Sequence, residues 1–93
     1  MSETMYLIVL SVAAPRHGYG ILLHVREITG GARVLGTGTI YNSLSRLQGD
    51  GLIRDAGGDE RRKLYVITET GRAVLSAEIE RLGVLYGCGK NIL

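Results

Sequence analysis

The sequence predicts a mainly α-helical domain with a small β-hairpin, arranged as a winged helix-turn-helix. Two amphipathic segments follow one another across a short connection, an alternating hairpin pattern comes directly after the second, and a long amphipathic segment ends the chain. A helix pair followed at once by a hairpin is typical of the winged variant of helix-turn-helix. We therefore divide the chain into a winged helix-turn-helix domain over residues 1–67 and a terminal helix with its tail over residues 68–93.

Length and composition limit the classes of protein to consider. A chain of 93 residues builds one core, and 45% hydrophobic residues make it too apolar for a disordered tail. The longest apolar stretch, Met5–Ala14, is shorter than the roughly 20 residues of a membrane span, and no basic segment precedes it. The single cysteine, Cys88, allows neither a disulfide within the chain nor a cysteine zinc site. We expect a cytoplasmic protein without cofactor, metal or membrane partner.

The first two helices are predicted from apolar periodicity and from residues that end helices. Glu3–Ala13 is apolar on most sides, which fits a helix covered by its own domain and by something else. Pro15 closes it, because a proline disfavours helical geometry in the residue before it. A second helix with one apolar face begins near Gly18 and ends at Gly30-Gly31. Ala32–Leu35 is then a linker or a brief strand.

The third helix, Gly36–Gln48, carries the most informative pattern. Apolar residues recur at i, i+4 and i+7, which predicts a narrow buried stripe of Ile40, Leu44 and Leu47. Polar side chains suited to reading DNA lie on the opposite side: Tyr41, Asn42, Ser45 and Arg46. The alternative is that Tyr41 packs against the following hairpin and that the small polar residues are solvated surface. An asparagine can pair with adenine and an arginine with guanine or a phosphate. Near the helix start, we expect Thr37 and Thr39 to contact phosphate.

A hairpin with a basic side follows the turn at Asp50-Gly51. Leu52–Arg54 and Arg61–Ile67 are predicted to pair across a glycine-containing loop. Three adjacent cations, Arg61, Arg62 and Lys63, lie where the chain returns and can reach a phosphate backbone or a minor groove. The alternative is a solvated run of charge partly neutralised by the acidic residues 59 and 60.

The last helix is predicted to begin at Thr68 and to run for about 17 residues, or 25 Å. The glycine-rich tail from Gly87 to Asn91 is expected to fray. A helix of this length overhangs so small a domain, so its distal half needs a partner. We therefore predict a homodimer whose contacts come from five apolar residues: Met5, Leu75, Ile79, Leu82 and Tyr86.

Five short motifs, in order and with suitable gaps, resemble the PadR family of bacterial transcriptional regulators. They cover most of the chain and are His17-Gly18-Tyr19-Gly20-Ile21, Gly38-Thr39-Ile40-Tyr41, Leu44-Ser45-Arg46-Leu47 with Gly51-Leu52-Ile53, Arg62-Lys63-Leu64-Tyr65 and Ile67-Thr68-Glu69-Thr70-Gly71. The resemblance implies a homodimer in which the terminal helix packs on the first and terminal helices of the other subunit. It also implies repression of nearby genes, relieved by a small-molecule inducer or another signal. Two features depart from the family pattern: the C-terminal region is short, and the chain has no tryptophan to stack a flat ligand.

Other functions fit the residues less well. Gly36-Thr37-Gly38 lacks the third glycine of a dinucleotide-binding loop, since position 41 is a tyrosine. His17 and His24 have no evident serine, aspartate or metal-ligand partners, so we do not expect an enzyme. Tyr19 is interpreted as a core residue, with a phosphate contact as the alternative. A winged-helix module that binds a protein instead of DNA is the alternative function, although the outer face of the third helix lacks apolar anchors.

Overall fold

The computed structural model describes residues 1–93 and contains four helices and three short strands. The elements are α1 (Glu3–Ser11), β1 (Arg16–His17), α2 (Gly18–Ile28), α3 (Thr37–Gly49), β2 (Ile53–Gly58), β3 (Lys63–Ile67) and α4 (Glu69–Ile92). The strands form one antiparallel sheet in the order β1-β3-β2. This arrangement confirms the predicted fold class.

Local signals explain where the helices begin and end. Side-chain acceptors of Ser2, His17 and Thr68 bind backbone N–H groups in the first turns of α1, α2 and α4. Beyond the end of α2, Gly30 and Gly31 have φ angles of 60° and 85°, a left-handed conformation that glycine adopts without steric cost. The predicted stop of the second helix and the predicted cap of the last helix are therefore confirmed.

The core lies between α1, α2, α3 and the sheet. On α3, Ile40, Leu44 and Leu47 are each no more than 2% exposed, so the predicted apolar stripe is confirmed. Complete burial of such a side chain contributes about 1.5–3 kcal/mol, which fixes the rotation of α3 about its axis. The opposite face of the helix is consequently held outward.

The strands β2 and β3, with the turn between them, form the hairpin that we call the wing. Ile53 pairs with Ile67 at its base, and Asp55 pairs with Tyr65 before the register shifts towards the tip. The third strand, β1, was not predicted, because two residues are too short to show an alternating pattern. Its Arg16 lies opposite Tyr65, so the sheet is wider at the base than a simple hairpin.

The terminal helix α4 is longer than predicted. It has 24 residues and runs to Ile92, about 36 Å at 1.5 Å per residue. The predicted fraying after Gly87 is wrong: each glycine disfavours a helix by only about 1 kcal/mol, and the Lys90 ammonium lies 6.0 Å from the centre of the Tyr86 ring. The alternative of a brief strand at Ala32–Leu35 is also wrong, since this segment is an irregular linker.

Candidate nucleic-acid interface

The outer face of α3 presents polar side chains to solvent. Tyr41, Asn42, Ser45 and Arg46 are all exposed, opposite the buried stripe that holds the helix in place. The helix starts after Gly36, which offers no side-chain cap, so the first-turn N–H groups have no side-chain acceptor. Helix N-termini of this kind attract phosphate, because free N–H groups and the helix dipole both favour an anion.

Two threonines lie beside that N-terminus. Thr37 is the first residue of α3 and Thr39 lies in the same turn, and both side chains are exposed. The structure therefore brings both hydroxyls to the end of the helix where the sequence analysis expects a phosphate. A backbone oxygen of nucleic acid at this position would meet hydroxyl and amide donors together.

The wing places its three cations next to one another at the tip. Arg61 and Arg62 lie in the turn, and Lys63 is the first residue of β3. An oxygen of the Asp59 carboxylate accepts the backbone N–H groups of Arg61 and Arg62 at 2.9 and 2.8 Å, and so shapes the turn. No carboxylate lies within 4.0 Å of any of the three cationic groups. Their charge is thus available to an external anion.

A cleft separates the wing from the starts of α2 and α3. Its lining is formed by His17, Gly18, Tyr19, Tyr41, Glu60, Arg61, Arg62, Lys63 and Tyr65. The expectation that Tyr19 is a core residue is wrong, because 59% of it is exposed at the mouth of this cleft. Tyr65 of this cleft was not predicted as a site residue; its alternation with Ile67 places both side chains on the same face of β3.

Tyr65 remains a neutral phenol in this cleft. Burial raises its pKa above the ordinary value of 10.0, and the neighbouring Tyr41 and Asp55 raise it further. The hydroxyl therefore keeps its proton at neutral pH and can donate a hydrogen bond. Tyr41 of α3 and the three cations of the wing line this same cleft, so the cleft connects the two elements.

Comparison with known proteins decides the family. The pattern of the Transcriptional regulator PadR-like family matches residues 7–77, which is most of the chain. The chain belongs to this PadR-like family. The resemblance noted from the five sequence motifs is therefore confirmed, and the family is one of transcriptional regulators.

Two solved structures share the fold of the PadR-like chain over nearly its whole length. A PadR family transcription regulator from Clostridium difficile is 25% identical, with a TM-score of 0.83 and coverage of 98% of both chains. A transcriptional regulator from Clostridium thermocellum has the same fold, at 24% identity and a TM-score of 0.78, covering 95% of this chain and 86% of the other. An uncharacterized 37.1 kDa protein in transposon TN4556 of Streptomyces fradiae is 29% identical over 87 residues. The match covers 92% of this chain but only 25% of that curated relative, so this chain spans about a quarter of the relative's length.

The two histidines of the PadR-like chain serve its helices. His17 Nδ1 accepts the backbone N–H of Gly20 at 3.1 Å and so caps α2. His24 Nδ1 forms a hydrogen bond of 2.8 Å with the Ser11 hydroxyl, which lies 2.8 Å from the Leu7 carbonyl oxygen. Burial lowers the pKa of His24, and the nearby positive charge of Arg16 lowers it further, which favours the neutral ring. No cluster of three or more histidine, cysteine, aspartate or glutamate side chains is placed to hold a metal ion.

The residues expected at a dimer interface divide into two groups. Leu75 is only 7% exposed and belongs to the core of its own chain, and Met5 is half-buried against that core. By contrast, Ile79, Leu82 and Tyr86 are 44%, 37% and 69% exposed along the distal part of α4.

None of the helices combines the length and the apolar composition needed to cross a bilayer.

A carboxylate beside this part of α4 is held in its charged form. Glu78 is buried on α4, and Arg81 Nη2 donates to its Oε2 at 3.1 Å. The hydrogen bonds from Arg81 lower the pKa of Glu78 to about 2, against the opposing effect of burial, and the amino group of Met1 at 3.2 Å adds to the shift. The pair lines a cleft between α1 and α4.

Proposed function

We propose that this PadR-like chain is a homodimeric, sequence-specific DNA-binding regulator. In this proposal α3 lies in the major groove, the wing lies along the phosphate backbone, residues 1–67 bind DNA and residues 68–93 dimerise. The observation that carries it is the outer face of α3, whose polar side chains stand free beside three cations without a carboxylate partner. A helix of this width fits the major groove of B-DNA, and hydroxyl, amide and guanidinium groups are suited to its base edges.

The amide of Asn42 and the guanidinium of Arg46, both exposed on α3, are the proposed base-reading groups. Asn42 can donate to and accept from the N6/N7 edge of adenine, while Arg46 can donate two hydrogen bonds to guanine or one to a phosphate. The hydroxyl of Ser45 lies on the same exposed face and can bind either a base or a backbone oxygen. Thr37 and Thr39, at the N-terminus of α3, would hold a phosphate and so set the register of the helix on the duplex.

The dimer is proposed from the distal half of α4. The exposed Ile79, Leu82 and Tyr86 would pack against α1 and α4 of a second subunit, with Met5 at the edge. A two-fold axis along this contact would present two recognition helices about one turn of DNA, or roughly 34 Å, apart. Such a dimer would select an imperfect palindrome.

Repression is the proposed regulatory outcome, because a dimer bound across a promoter excludes polymerase. A small inducer or another signal that changes the packing of α4 on α1 would alter the angle between the two wings and release the DNA. The cleft between these helices is lined by Tyr6, Leu7, Arg81 and Leu82 among others, and it lies beside the proposed dimer contact. Because its target is DNA, we place the regulator in the cytoplasm.

The experiment begins with selection of bound fragments from a random-sequence duplex library. The Asn42→Ala/Arg46→Ala variant is then compared with wild type on the selected duplex. We expect a loss of at least about tenfold in affinity, since each base contact contributes about 1–3 kcal/mol. The control is Arg26→Ala, which removes the same charge from an exposed position about 12 Å along α2 from its N-terminal end.

Two results would count against the proposal. Failure of the wild-type protein to enrich any duplex would remove DNA from the function and favour a protein-binding module. Equal losses of affinity in the α3 variant and in the Arg26→Ala control would instead show that affinity depends only on the net charge of the protein. The assignment of α3 as the reading element would then be wrong.

A further inference from the structure

The neighbours of Gly18, the first residue of α2, and not its backbone conformation, explain why this position is a glycine. Its φ angle is negative, so any residue can adopt its conformation, and alanine is intrinsically better than glycine in a helix. The residue is nevertheless buried, and it lines the cleft between the wing and α3. What occupies the space beside it therefore explains the absence of a side chain.

The space beside Gly18 is filled by the phenol ring of Tyr41. A Cβ atom on Gly18 would lie 2.6 Å from Tyr41 Oη, 2.7 Å from Cζ and 2.9 Å from Cε1. All three distances are too short for atoms in contact, so a methyl group and the ring cannot coexist as placed. At Gly20, two residues further along the same helix, a Cβ would lie 3.6 Å from the nearest atom, which is ordinary contact.

Tyr41 belongs to α3, yet its ring joins three elements of the proposed interface. Its hydroxyl end lies against the backbone of α2, while 53% of the residue remains exposed in the cleft. It is also close enough to Tyr65 of β3 to contribute to the raised pKa of that phenol. The place of Tyr41 among the groove-facing residues stays a prediction, and the end of its side chain is turned towards α2.

We propose that Tyr41 is a positioning residue, whose ring, resting on Gly18, sets the spacing between the recognition helix, the start of α2 and the wing. This inference rests on the proposed function. A side chain at position 18 would force the Tyr41 ring out of its place and into the cleft. The cations of the wing line this cleft, where they are proposed to bind a phosphate. The displaced atoms are the far end of a side chain and not backbone, so the fold would survive while the shape of the DNA-binding surface would change.

The test is a double-mutant cycle with DNA affinity and unfolding free energy as separate readouts. The variants are Gly18→Ala, Tyr41→Ala and their combination, with Tyr41→Phe and Gly20→Ala as the matched controls. The probe is the duplex selected from the random library, compared with a scrambled duplex of equal length. Urea unfolding of each free protein reports its stability.

Gly18→Ala is expected to weaken binding to the selected duplex at least about tenfold, the scale of one lost base contact per dimer. The same change in the Tyr41→Ala background should cost less than about twofold, because the ring that it displaces is absent. Tyr41→Phe should bind within about threefold of wild type, since the ring still rests on Gly18. Gly20→Ala should bind as wild type, and Gly18→Ala should unfold at the same urea concentration as Gly20→Ala.

Three results would overturn the inference. Binding of Gly18→Ala at wild-type affinity would show that the ring can move without consequence. Equal costs of Gly18→Ala with and without the ring would show that the two residues act independently. A loss in Tyr41→Phe as large as in Tyr41→Ala would show that the hydroxyl contacts DNA directly. If the wild-type protein retained no duplex at all, the proposed function itself would fall, and this inference would fall with it.

Discussion

Neutralising one cation of the wing should change how steeply DNA binding depends on salt. Each subunit presents four exposed cations on the proposed interface, and none of them has a carboxylate within 4.0 Å: Arg46, Arg61, Arg62 and Lys63. If all eight in a dimer contact phosphates, the logarithm of affinity should fall with the logarithm of salt concentration with a slope near about −7. A rise from about 50 to 200 mM salt would then weaken binding by about four orders of magnitude.

Lys63→Gln removes one of these charges from each subunit, and hence two from the proposed dimer. The slope should become shallower by about 2, because each phosphate contact contributes about 0.9. Lys90→Gln is the matched control, since it makes the same chemical change about 32 Å along α4 from its first residue. Fluorescence anisotropy of the labelled selected duplex, titrated at a series of potassium chloride concentrations, measures both slopes.

The comparison between these two variants decides the prediction, since both have the same net charge. A shallower slope in Lys63→Gln alone places a phosphate at the wing. The same slope in both variants would refute the reasoning, because the wing would then lie away from the backbone. A nearly flat response of the wild-type protein would show that its cations do not neutralise phosphates of the duplex.

Three further predictions concern the assembly, the packing of α4 and the response to acid. Ile79→Glu should convert the proposed dimer to a folded monomer in light scattering, whereas Ala77→Glu, on the opposite side of α4, should not; two dimers would contradict the assigned face. Gly71→Ala should lower the free energy of unfolding in urea by about 2–3 kcal/mol, because the added Cβ would overlap the carbonyl oxygen of Leu52. The control Gly49→Ala should not destabilise the protein, because open space surrounds that position. A similar loss in both would be evidence against that contact. Because the pKa of Glu78 is lowered from 4.5 to about 2, its contribution is complete above pH 4.5 and is lost as the pH falls towards 2; Glu78→Gln should remove that part of the acid sensitivity, and an unchanged profile of stability against pH would contradict it.

Periodicity made much of the fold predictable. The stripe of Ile40, Leu44 and Leu47 shows directly in the sequence, because a helix repeats every 3.6 residues and burial demands apolar side chains on one face. The same stripe places Asn42 and Ser45 outside without further information. The glycine stop after α2 and the threonine cap of α4 were equally local, since each depends on the conformation of a few consecutive residues.

What escaped prediction depends on contacts between distant parts of the chain. β1 has only two residues and exists because β3 pairs with it. The orientation of Tyr41 depends on a glycine 23 positions earlier, and no local pattern relates the two. The continuation of α4 beyond Gly87 was missed because helix propensity is a weak guide where glycines are frequent.

The central claim is that the outer face of α3 lies against the bases of a DNA duplex, and site-directed cross-linking tests it directly. In a Cys88→Ser background, which removes the native exposed thiol, Ser45→Cys is combined with the selected duplex carrying a thiol tethered to a base in the major groove. Ser76→Cys, equally exposed but on α4, is the control. We expect a disulfide-linked complex with Ser45→Cys and none with Ser76→Cys. Cross-linking through Ser76→Cys alone, or no cross-link from Ser45→Cys at any tethered position, would contradict it.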